Sequence, residues 1–181
     1  MSKFKIDPVH SEIKFKVKHL VVSNVTGEFK QFDASIESDR PDFTDAKIVF
    51  TAEIASLETG NEQRDGHLKS PDFFDAANYP KMSFNSRRVT KLSETDYRVV
   101  GDLTIRNVTK EIELNIVYNG TAKGFGGTEV LGFEATGKIN RFEFGLKWNG
   151  LTEAGGIVVG EDVRIEITAE FNRIVEVQKA A

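Results

Sequence analysis

The strongest constraint on how this chain folds is a side-chain period of two that recurs from near its start to near its end. In Glu12 to His19, Ile13, Phe15, Val17 and His19 share one face, while Lys14, Lys16 and Lys18 take the other. Ala46 to Ala55 turns Ile48, Phe50, Ala52 and Ile54 to one side, and Lys81 to Val89 does the same with Met82, Phe84 and Ser86. Four later segments follow suit: Asp96 to Arg106, Lys110 to Tyr118, Val130 to Asn140 and Asp162 to Arg173. Successive side chains of a strand point to opposite faces, so each segment reads as a strand with one apolar face and one wet face. Between Val25 and Glu37 the parity slips, from Val25, Gly27 and Phe29 to Phe32, Ala34 and Ile36. That slip predicts a β-bulge near Lys30 and Gln31.

Eight half-buried strands imply an antiparallel sheet. They can bury their apolar faces by closing into a barrel or by splitting into a sandwich. Several segments run about nine to eleven residues, roughly 30 Å at ~3.3 Å per residue, which favours the barrel. The expected architecture is therefore all-β, an eight-stranded antiparallel barrel. It forms a single domain over residues 1–181, a length sufficient for a sizeable core. No repeat unit or internal linker interrupts it.

The interior of such a barrel would be greasy. Fourteen phenylalanines accompany one tryptophan and three tyrosines, so most of the aromatic surface has no polar handle. No Lys, Arg, Asp or Glu falls on the inward faces, whose polar members are His19, Ser86, Tyr97 and Tyr118. A charged guest would find no partner there. Gly27, Gly101 and Gly137 also fall inward, leaving either space for a ligand or corners in a solid barrel. Alternation alone leaves hollow and solid barrels both open.

Composition narrows the function. A formal charge of −4 gives no basic face for nucleic acid, and no partner of that class is expected. The absence of cysteine removes disulfides, thiol nucleophiles and thiolate-bound zinc. The three histidines, His10, His19 and His67, have no metal-ligand spacing, so no metal site is expected. No stretch is long and apolar enough to span a membrane as a helix, and the start MSKFKIDPVHS has no apolar leader. The expected compartment is the cytoplasm; a mature chain cut from a precursor would equally suit the periplasm.

Two connections are too long to be simple turns, Leu57 to Lys81 and the glycine-rich Phe142 to Glu161. The first contains helix-end signals: Thr59 with Glu62 as a capping box, Gly66 as a stop, and Ser70-Pro71-Asp72 as a second start. One or two short helices are therefore expected there, ended by Asn78-Tyr79-Pro80. Phe73 and Phe74 are left to pack against one end of the barrel. His67, beside Arg64 and Asp65, is the strongest candidate for a functional histidine. No nucleophile lies near it in sequence, so a hydrogen bond at the mouth explains it more simply than proton transfer. His10 and His19 read as structural.

The words "DPVHSEIKFKVKHL", "VTGEF", "RDGHLKSPDFFDAANYP", "GDLTIRNVTKEIEL" and "NRFEFG" run in this order over nearly the whole chain. In these the chain resembles the YceI-like polyisoprenoid-binding proteins, with Asn107 where glycine is frequent after "GDLTIR". The resemblance implies an extended, lipocalin-like barrel that holds a long isoprenoid or similar lipid in an apolar pore, usually as a homodimer and without a cofactor. Pore residues would then include Phe15, Val17, His19, Phe29, Phe50, Phe84, Leu103, Ile105, Leu114, Phe133 and Phe171. Arg64, Asp65, His67, Arg141 and Trp148 would shape the mouth and meet a head group. Carriage, storage or sequestration of lipid is the implied role. The alternatives are an enzyme acting on a lipid or quinone head group through His67, and a stress-related scaffold for protein interactions.

Overall fold

The alternation closes on itself. The computed structural model describes residues 1–175, and its strands form one antiparallel ring of eight staves. β1 (Ser2–Ile6) and β2 (Glu12–His19) make one bent stave, and β3 (Ser23–Phe29) with β4 (Phe32–Ser38) makes the next. β5 (Lys47–Glu53) and the two-residue β6 (Leu57–Glu58) form the third. β7 (Lys81–Lys91), β8 (Asp96–Ile105), β9 (Val108–Lys123), β10 (Glu129–Asn140) and β11 (Val159–Arg173) complete the ring.

The last strand shows why the sheet closes rather than splits. β11 is 15 residues long, about 50 Å at ~3.3 Å per residue. It therefore reaches both halves of the first stave, pairing Val159 to Thr168 with β2 and Phe171 to Arg173 with β1. No free edge remains between first and last strands. β1 was not legible as a strand: its five residues give too few alternations, yet Phe4 and Ile6 are buried in the wall.

The bulge falls where the parity slip predicts it. β3 ends at Phe29 and β4 begins at Phe32, while Lys30 and Gln31 donate their N–H groups to the carbonyl and hydroxyl of Ser56. Ser56 belongs to a single 3-10 turn, Ile54–Ser56, that carries the third stave past the same bend.

The 57–81 connection contains one helix, α1 (Glu62–Lys69). Its N-cap is Asn61, whose side chain accepts the Arg64 N–H at 2.9 Å, and not Thr59. Gly66 lies within the helix rather than at its end. The second helical start does not develop. Ser70 instead closes α1, its hydroxyl donating to the His67 carbonyl at 2.6 Å, and residues 70–79 fold as turns around Asp75. Asp75 has a left-handed φ of 51° and takes both carboxylate contacts from the Asn78 amide, which is incompatible with a continuing helix.

Candidate functional site

Inside the ring lies a cavity of about 240 Å³, walled almost wholly by carbon. An apolar cavity of ~150 Å³ can stay dry and accept a benzene-sized guest, so this barrel is hollow on that scale. Phe15, Val17, Phe29, Phe50, Phe84, Leu103, Ile105, Leu114, Phe133 and Phe171 all line it. His19 does not: it ends the β2 ladder opposite Ser23 and Val159. The alternation that put His19 inward runs out where the strand does.

The glycines do not provide this room. A Cβ on Gly27 would lie 2.2 Å from the Phe15 ring, one on Gly101 would meet Phe84 at 2.5 Å, and one on Gly137 would meet Leu114 at 2.6 Å. Each glycine is a seat for a large neighbour. Space comes instead from small side chains, Ala34, Ala46, Ala135 and Ala169, which line the cavity. A pattern of apolar against polar could not separate these from larger core residues.

The two ends are closed differently. At one end, Phe43 comes from the otherwise polar loop 39–46, with φ at 56°. Its ring meets Phe4, Tyr118 and Phe133 edge-on at 5.7–6.1 Å. Sequence reasoning did not single out Phe43; the signal was a lone large apolar residue in "RPDFTD".

Antiparallel alternation brings both long connections to the opposite end. Leu68, Phe73 and Phe74 descend from the first to line the cavity. Phe73 and Phe74 thus pack against a barrel end as expected. Above them His67 stands edge-on to Phe73 at 5.1 Å and to Trp148 at 4.6 Å, and its Nε2 lies 2.8 Å from the Asp72 carboxylate. Trp148 is outside the cavity wall and partly exposed.

The charged trio of the cap is divided. Asp65 accepts from the Thr59 N–H and hydroxyl, and Arg64 bonds the same Thr59 through its hydroxyl and carbonyl at 2.7 Å. No hydrogen bond joins either residue to His67 among the described residues. Arg64 and Asp65 are therefore spent on Thr59, and the carboxylate that meets His67 is that of Asp72.

Arg141 is the most buried charged residue among the described residues, 3% exposed, and touches the cavity. Its guanidinium donates to four backbone carbonyls: Leu146 at 2.6 Å, Trp148 at 2.8 Å, Gly160 at 2.8 Å and Val159 at 3.2 Å. It also lies 4.7 Å from the Phe142 ring centroid. Burial pulls its pKa below the ordinary value, partly offset by Glu161. The sequence placed Arg141 at the mouth as a head-group contact. Its donors reach Leu146 and Trp148 in the connection after β10 and Val159 and Gly160 at the start of β11, so it ties the connection to that strand.

A cluster invisible to sequence spacing joins the ends of the chain. Asp7, His10 and Glu170 place ligand-capable atoms within 4.8 Å of one another. His10 Nδ1 is 3.0 Å from Asp7 and 3.9 Å from Glu170, over the bend between β1 and β2. The hydrogen bond raises the His10 pKa and lowers that of Asp7. These groups line no part of the cavity and act as a staple.

Known proteins agree with this geometry. Residues 4–171 match the family model of the YceI-like domain. A UPF0312 protein of Staphylococcus epidermidis is 42% identical over 173 residues, covering 95% of this chain and 98% of that protein. The crystal structure of the Campylobacter jejuni YceI protein superposes with a TM-score of 0.74 at 36% identity, covering 87% of this chain and 90% of that one. A polyisoprenoid binding domain from Saccharophagus degradans shares the fold, with a TM-score of 0.68 at 15% identity over 94% of this chain and 98% of that one.

Proposed function

The chain belongs to the YceI-like family, and from that premise we propose that it binds a long isoprenoid or similar lipid chain inside the barrel, for carriage, storage or sequestration. One observation carries this reading: a cavity of about 240 Å³ whose wall is almost free of polar atoms. An empty cavity forgoes dispersion contacts. At about 24 cal/mol per Å³, a guest of matching shape recovers roughly 6 kcal/mol before ordering costs. A flexible chain of methyl and methylene groups fits such a wall because it asks for no hydrogen bond, and each buried CH₂ adds about 0.8 kcal/mol gross. The name of the Saccharophagus degradans domain supports the isoprenoid class of guest.

The test is extraction. Protein purified from its native host, treated with organic solvent, should release a long-chain lipid detectable by mass spectrometry. Emptied protein should take up added prenyl lipid with a rise in Tm. An empty extract together with no uptake would sink the reading.

A further inference from the structure

Two staves of the barrel part near the loop 39–46. The β5–β7 ladder ends at Val49 and Asn85, and β7 then bulges between Ser86 and Arg88. From Arg88 to Lys91 it pairs with β8 alone. A groove of about 500 Å³ opens at this seam, walled by Thr44 to Val49 and by Asn85 to Val89. Ala46, Ile48 and Val89 line both the groove and the cavity, so one layer of side chains separates them. Ser86 spans the seam: its hydroxyl accepts the Ile48 N–H at 2.8 Å and reaches the Ala46 carbonyl at 3.4 Å. The seam is thus held by one side chain where a backbone ladder would otherwise run.

The charges around the groove are unbalanced. Arg87 is engaged, 2.8 Å from Asp102 and 3.7 Å from Glu111. Asp45 is spent on the Ser38 hydroxyl and on the N–H groups of Asp39 and Arg40. Lys47 and Arg88 are exposed on the groove wall, and among the described residues their side chains have no hydrogen bond or ion pair. At the capped end the donors of Arg64 and Arg141 are taken by the protein's own backbone and by Thr59. Arg106 there reaches the Phe73 and Gly145 carbonyls and keeps its buried Nε unpartnered among the described residues, and the exposed Lys110 and Lys147 line neither the groove nor the cavity.

We propose that the β5–β7 seam is a lateral portal, and that Lys47 and Arg88 hold the anionic, phosphate-class head group of a guest whose chain lies in the cavity. This rests on the lipid-binding reading and adds the chemistry and position of the guest's polar end. A phosphate drawn into a carbon-walled cavity would lose its hydration with nothing in return. At the seam it stays in water beside two free cations, while the chain passes inward between Ile48 and Val89. Arg88 presents a planar fork suited to phosphate oxygens, and Lys47 a point charge beside it.

The experiment uses delipidated full chain carrying N-phenyl-1-naphthylamine as a neutral fluorescent probe, displaced by farnesol or by farnesyl phosphate. Wild type should bind the phosphate about tenfold more tightly than the alcohol, the scale of two solvent-screened ionic contacts. The double variant Lys47→Glu/Arg88→Glu should lose that preference while keeping farnesol affinity within about twofold. Reversal at the other end, Lys110→Glu/Lys147→Glu, should leave the preference intact. Equal binding of the two ligands by wild type, or a preference that survives in Lys47→Glu/Arg88→Glu, overturns the portal. Inorganic phosphate that competes with farnesyl phosphate at equal concentration would mark a free-phosphate site and overturn the head-group assignment. If neither prenyl compound displaces the probe, the lipid-binding reading itself falls.

Discussion

The cavity wall and the cap above it are both rich in aromatic rings, yet they treat polar groups in opposite ways. The wall excludes them: between Phe84, Leu103, Leu114 and Phe171 no hydrogen bond is needed or offered. The cap gathers them and cancels them locally, Arg64 and Asp65 on Thr59, His67 on Asp72, Arg141 on four carbonyls. Charge density in sequence therefore marks the part of the molecule with irregular backbone to satisfy. Irregular backbone at a barrel end has no ladder partner, and side chains must supply the missing donors. The charges of "RDGH" each have a partner within the cap, Thr59 for Arg64 and Asp65 and Asp72 for His67.

The comparison can be broken at several points. The largest effect is expected at Arg141. Arg141→Met keeps the volume and removes four donors from buried carbonyls, so it should cost about 3 kcal/mol or more in chemical denaturation. A loss under about 1 kcal/mol would mean that the carbonyls are satisfied without it. Next is the wall. Ala135→Phe places a ring in the cavity and should weaken prenyl uptake about a hundredfold, with stability changed by less than ~3 kcal/mol. Unchanged uptake would show that the guest does not occupy the middle of the barrel. Gly101 and Gly137 are poor sites for the same purpose, because their space already belongs to Phe84 and Leu114.

His67→Ala should be milder, about 1 kcal/mol from lost edge contacts with Phe73 and Trp148, with prenyl uptake retained. Abolished uptake with an unaltered fold would move His67 from cap to binding site. The smallest effect concerns pH. His10 has a raised pKa, so its contribution is present below the ordinary ~6.5 and fades as pH rises through the raised value. Asp7 has a lowered pKa, and its contribution is present above its ordinary value and lost as pH falls through the lowered one. Asp7→Asn should therefore destabilise most between about pH 4 and pH 6.5. It should also bring the His10 titration, followed by NMR, back down; an unmoved His10 pKa would dissolve the staple.

How much could be read in advance varies with the kind of interaction. The seven unbroken alternating segments from Glu12 to Arg173, and the slipped one at Lys30 and Gln31, all appear as strands in the ring. Ser86 was visible as an inward polar exception, but its reason was not: it fills a gap between two strands that are adjacent only in the barrel. Cap assignment went astray at Thr59 because Asn61, two residues later, holds the same kind of oxygen in better geometry. Phe43 escaped because one residue has no period.

The sequence by itself determined the all-β class, the number of main staves, the largely apolar lining, which Lys14 and Arg141 only touch, and the bend at the bulge. All of these follow from side-chain alternation, which the chain imposes locally. Tertiary structure alone decided that the barrel is hollow, that glycines seat large neighbouring side chains rather than a guest, and that Arg141 ties a loop. It also decided that Lys47 and Arg88 stand beside a weak seam. Those outcomes depend on which residue meets which across strands far apart in the chain, and no local period encodes that meeting.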